Sequence, residues 1–210
     1  MGSRARIATA VAIVGLCGFA AVRGLSIVRF SHAKAGMASH EHHADAARPW
    51  VAVTGLAGAA LEMSLADAVD PSDIDATRRR GDELAALLSV RPASSTHWLS
   101  LASVRFVAGE PLDKVLGALA LSSATGANEG QLKSQRGIFG LWQWEILPPA
   151  VRKRTAADLA GAIVEHTMSE HAWSAAARLL AATSPDTRRE IAHLLRAEGL
   201  SADDLKRIGL

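Results

Sequence analysis

The apolar positions of the chain fall into one unbroken run followed by a series of periodic stretches. The run is Ile7 to Val22, sixteen residues without a charge, bracketed by Arg6 and Arg23. That length lies between a signal-peptide core and a full bilayer span. With Arg23 lifted toward the head groups, the span reaches Val28, about 22 residues and about 33 Å of helix at ~1.5 Å per residue. The pattern predicts a transmembrane signal anchor over residues 1–30, in contact with the lipid bilayer through residues 7–28. The competing reading is a cleaved secretory signal. Ala33-Lys34-Ala35 has the small-x-small form of a cleavage site but lies far beyond the apolar core.

Residues 31–48 read SHAKAGMASHEHHADAAR, with Met37 as the one large apolar residue and no period able to bury a face. They predict a flexible, histidine-containing linker. From residue 49 the period becomes helical, and all seven prolines stand at plausible helix boundaries. The expected helices run from about Trp50 to Val69, from a Ser72/Asp75 capping box to Arg91, from Ser95 to Ala108, and then from Leu112, where Val115, Leu116 and Leu119 continue one stripe. A longer helix is expected from Glu129 to Leu147, apolar on more than one face in its second half, so that neighbours should cover both sides. Others follow from Ala150 to Met168, from Ala172 to Thr183 and from Ser184-Pro185 to Glu198, with a last turn capped by Ser201 and Asp204.

Composition agrees. Apolar residues make up 49% of the chain, yet tyrosine is absent and aromatics are 4%, so alanine and leucine carry the hydrophobic content and favour helix over strand. Charge changes the picture more. The pI is about 9.0, but five of the 23 basic groups (Arg4, Arg6, Arg23, Arg29, Lys34) lie in residues 1–34 with no acid among them. The remaining 18 face 21 acids. A slightly acidic body lacks the basic stripe that nucleic acid requires, and the basic excess reads as membrane electrostatics. Cys17, the single cysteine, lies inside the apolar run, which excludes an intramolecular disulfide and a cysteine-based zinc site.

The stretch Leu87-Leu88-Ser89-Val90-Arg91-Pro92, followed by Trp98, Leu101, Ala102 and Gly109, resembles the junction between two tetratricopeptide repeats. There a proline ends one unit and the next unit's tryptophan, leucine and small residue follow at this spacing. The resemblance covers residues 84–125. One period on, Leu132 stands where a tryptophan belongs; Lys114 and Gly126 also depart from the pattern. The resemblance implies an all-α fold of antiparallel hairpins stacked as a short array over residues 49–210. It also implies a concave groove lined by the helices beginning near Ser95 and Glu129, with Ser103, Arg105, Phe106, Lys133 and Arg136 as partner-binding residues; the alternative is that Arg105 and Arg136 make internal salt bridges between hairpins. The segment GIFGLWQWEILPP is similar to short anchored proteins encoded with bacterial surface-polysaccharide machinery.

Recognisable catalytic signatures are missing: there is no Walker loop, dinucleotide fingerprint, nucleophile elbow or HExxH. Ser31-His32-Ala33-Lys34 has the SxxK form but stands in the linker. His40, His42 and His43 form a cluster able to bind a transition metal, and the blander reading is a solvated tether. His166 and Glu170 share a face if one helix runs through both, which defines the alternative of a metal-dependent envelope enzyme. The expected function is a membrane-anchored scaffold or adaptor in a bacterial cell-envelope complex, without enzyme activity or cofactor. Its partners would be other envelope or membrane proteins, and its address the inner membrane with the body in the periplasm.

Overall fold

The computed structural model describes residues 20, 22–32, 34, 43–53 and 55–210; most of the expected anchor, and His40 and His42, lie outside them. Every regular element among the described residues is helical. No described helix is long and apolar enough to cross a membrane. The chain divides into two compact units, Met1–Pro92 and Ala93–Leu210.

In the first unit residues 22–32 are helical, followed by α1 (His43–Val51), α2 (Ala57–Ser64) and α3 (Ile74–Val90). Two expectations are corrected here. The linker does not extend to Arg48, because α1 begins at His43, whose backbone N and Nδ1 both meet Asp67 Oδ1, at 3.0 and 2.6 Å. The helix expected over Trp50–Val69 is instead two helices, since the chain turns at Val53–Leu56 with Gly55 at φ +82°. That turn brings Leu56, Ala60 and Met63 onto Ala47 and Phe30, and Phe30 meets Trp50 edge to face at 5.6 Å. At the start of α3 the N-cap is Asp73, which accepts from Ala76 N at 2.9 Å, and Ser72 closes a turn on Asp70 instead. The two Ser72 donors hold the Asp70 carboxyl below the ordinary aspartate value.

The second unit contains α4 (Ser95–Val107), α5 (Leu112–Thr125), α6 (Gly130–Trp142), a 3₁₀ turn (Trp144–Ile146), α7 (Pro149–Val164), α8 (Glu170–Ala182), α9 (Pro185–Ala197) and α10 (Ala202–Arg207). Gly109, at φ +70°, turns α4 into α5. The α6–α7 pair is an antiparallel hairpin closed on a glycine seam. A Cβ at Gly130, Gly137 or Gly140 would meet Thr167, Leu159 or Thr155, so positions rise along one helix as they fall along the other. At Gly137 the close atoms include Leu159 backbone, so only hydrogen there lets the two helices approach so closely; at Gly130 and Gly140 the space is taken by threonine side chains.

The next two helices each pack on this hairpin, α8 on α6 and α9 on α7. The shared core includes Leu141, Trp144, Leu159, Ile163, Leu180, Ile191, Leu195 and Leu205. Burying a side chain of this size contributes roughly 1.5–3 kcal/mol, which makes this cluster the main stabiliser of the unit. Caps set the boundaries: Ser184 accepts from Thr187 N at 3.0 Å ahead of Pro185, and Ser201 with Asp204 forms the expected reciprocal box. Trp98, expected in the core, is half-buried, while Leu99, Leu101 and Ala102 beside it are buried.

Candidate partner-binding surface

Of the residues expected to line a groove, Arg136 is buried and Ser103, Arg105 and Lys133 are bonded within the chain. Ser103 turns its hydroxyl back onto Leu99 O at 3.1 Å. Arg105 braces the α4–α5 turn, donating to Lys114 O at 3.2 Å and lying 3.7 Å from the Glu110 carboxylate, which Lys114 also approaches at 3.5 Å. Lys133 is paired with Glu165 across the α6–α7 hairpin.

For Arg136 the partner-binding expectation is corrected and the internal ion-pair alternative holds, because the side chain is 2% exposed and faces inward. Its Nε and Nη2 donate to the two Asp158 oxygens at 2.8 and 2.9 Å, and its Nη1 donates to the carbonyls of Ser122 and Gly126 at 3.4 and 3.2 Å. One guanidinium therefore neutralises a carboxylate on α7 and is a second donor to two carbonyls at the end of α5, which already accept from the backbone N–H groups of Gly126 and Glu129. A cation so thoroughly engaged has nothing left to offer a ligand.

Phe106 behaves differently. Half-buried at the end of α4, it sits edge to face with Phe139 at 6.3 Å and with Trp142 at 5.2 Å, and those two rings meet at 6.4 Å. Phe139 and Trp142 are three residues apart on α6 and so share a face. Phe139 is buried, but Trp142 is 53% exposed, and Ile146 on the following 3₁₀ turn is 49% exposed. Each edge-to-face pair contributes about 0.5–1.5 kcal/mol beyond area burial, enough to hold the indole in place while one side of it stays in water.

The neighbouring tryptophan shows the contrast. Trp144 is buried, and its indole N–H donates to Glu190 at 3.2 Å. Arg152 donates to the same carboxylate at 3.1 Å and to Trp144 O at 3.0 Å. Within three residues the helix end thus sends one indole inward, fully bonded, and the other outward. Trp142 and Ile146 are absent from the expected site. Their signal in the sequence is the apolar character of this stretch on more than one face, which predicts cover on both sides where the structure leaves one side in water.

The metal alternative finds no geometry. His166 is not on a helix with Glu170; it sits in the turn after α7 at φ +54°, and α8 begins only at Glu170. No group of three histidine, cysteine, aspartate or glutamate side chains able to hold a metal occurs among the described residues.

No protein-family model, curated protein or solved structure matches the chain.

Proposed function

We propose that the protein is a membrane-anchored helical scaffold whose second unit captures a protein partner on the aromatic edge formed by Phe106, Trp142 and Ile146. The observation that carries this is Trp142, half in water yet fixed between two phenylalanine rings. Tryptophan dominates binding energy when a partner desolvates it, and a ring already held in place loses little entropy on binding. The α6–α7 hairpin, with α8 packed on α6 and α9 on α7, supports a helical scaffold whose outer edges remain for docking. On this reading residues 7–28 hold the chain in a bacterial inner membrane, the body faces the periplasm, and the partner is another envelope protein. The chain binds and positions; it does not catalyse.

The test is capture from detergent-solubilised membranes with the full chain, its Trp142→Ala form and its Ile146→Ala form. Both substitutions should abolish or sharply weaken recovery of the same partners; Ile146→Ala should move the unfolding midpoint little, while Trp142→Ala also gives up two ring contacts of about 0.5–1.5 kcal/mol each and is judged beside it. Undiminished recovery by Trp142→Ala would place the interface elsewhere.

A further inference from the structure

One side of α9 bears cations left over from its own packing. Thr187, Ile191 and Leu195 lie on the buried side of the helix. Pro185, Arg188, Arg189, Ala192 and Arg196 follow one another on the other side, within an arc of about 100° at helical spacing. Arg188 borders the core and is half-buried, whereas Arg189 and Arg196 are exposed.

Gly209, at φ +85°, turns the chain after α10 and places Leu210 beside this stripe, with Leu210 N–H donating to Leu205 O at 3.0 Å. Stripe and turn enclose an open crevice of about 480 Å³. Its apolar lining is Pro185, Ala192 and Leu210, and its charged lining is arginine alone. Elsewhere in the unit Arg105, Arg136 and Arg152 are bonded to carbonyls and carboxylates. Here, among the described residues, no ion pair or side-chain hydrogen bond engages Arg188 or Arg196. Arg189 meets Asp186 in a pair exposed on both sides, which holds it weakly, and Glu190 is committed to Arg152 and Trp144.

Spacing and lining select the occupant. Arg188 and Arg196 stand about 12 Å apart along the helix at ~1.5 Å per residue, too far for one phosphate or carboxylate to bridge. A polyanion without apolar groups would leave Pro185, Ala192 and Leu210 unused. A peptide with carboxylates on either side of an aliphatic residue matches both features. We infer that this crevice binds an acidic peptide segment of a partner protein, with a leucine-sized side chain against Ala192 and Leu210 and flanking carboxylates on Arg188 and Arg196. The site shares no residue with the aromatic edge of Phe106, Trp142 and Ile146, so either can fail without the other.

The experiment titrates the full chain, in non-ionic detergent, into labelled synthetic peptides and reads fluorescence anisotropy. The first peptide has glutamates flanking a single leucine, the second has glutamine for glutamate, and the third has serine for leucine. The first should bind more tightly than either of the others, and its affinity should fall as salt is raised. Arg188→Gln with Arg196→Gln should weaken it at least about fivefold. Arg196→Glu changes one exposed side chain, so the fold stays intact and the loss should be as large. Arg154→Gln, at an exposed arginine of α7 outside the crevice, should leave binding unchanged.

Failure of the first peptide to bind, or binding that neither arginine variant moves, overturns the proposal. Equal binding of the serine peptide, with competition by a polygalacturonate oligomer, assigns the crevice to polyanions at large and overturns it too. A parent chain that sediments as a dimer in detergent, and loses the dimer with Arg196→Glu, assigns the crevice to a second copy and likewise overturns it.

Discussion

Replacing Gly137 by alanine tests the glycine seam with the smallest possible perturbation. The added Cβ would stand 3.0 Å from Leu159 Cβ and 3.1 Å from Leu159 Cα, and the latter is backbone that cannot rotate away. Leu159 is fully buried, so relief requires α6 and α7 to separate and the core beneath them to loosen. Overpacking of this kind costs typically ~1–3 kcal/mol, while alanine in a helix interior returns up to about 1 kcal/mol over glycine. The net expectation is a loss of about 1–2 kcal/mol. Gly117 supplies the control, because it lies in α5, is exposed, and has nothing within 4 Å of where an added methyl would stand. There the propensity gain acts alone and Gly117→Ala should stabilise by about 0.5–1 kcal/mol. Urea unfolding of the full chain in detergent, followed by helical circular dichroism, reads both. If the two substitutions shift the midpoint in the same direction, the seam is not tight and the hairpin register drawn from it is wrong.

Arg136→Ala should cost about 3–5 kcal/mol in the same assay, because it leaves the part-buried Asp158 carboxylate without its paired cation; a loss under about 1 kcal/mol would contradict that assignment. Burial raises the Glu83 carboxyl above its ordinary value, against the opposing pull of Arg80 and with a smaller push from Asp67. Between the ordinary value of 4.5 and the raised one, the folded state holds more protons than the unfolded state, so this group's contribution to stability declines as pH rises through that window. Glu83→Gln should therefore match the parent at acidic pH and exceed it at neutral pH, as read from unfolding midpoints across pH.

What the sequence revealed depended on whether the deciding contact was local. Ser184-Pro185 and the Ser201–Asp204 box were legible because a cap and the amide it satisfies lie three residues apart. The choice of Asp73 over Ser72 was not, since both side chains reach an amide and Asp70 was free to recruit the serine. The helix over Trp50–Val69 broke because Gly55 offered a left-handed turn that let two short helices close on Phe30, a contact periodicity does not contain. Likewise the helix from Glu129 ended at Trp142 rather than Leu147, where the 3₁₀ turn aims Trp144 at Glu190. In the candidate site, Phe106 was legible as a residue outside the main stripe of its helix. The choice between a groove and an internal ion pair for Arg136 was not legible, because it depends on Asp158, 22 residues away in the chain.

The Arg136 cluster also bears on the order in which the second unit comes apart. Its bonds reach 14 and 10 residues back to α5 and 22 forward to α7, so they exist only when three helices are already in place. Interactions that form after the folding barrier act on the escape rate from the native state rather than on the rate of reaching it. On the proposed scaffold reading the guanidinium would act as a latch: Arg136→Ala should speed unfolding more than it slows folding, shortening the time over which the aromatic edge stays presented to a partner.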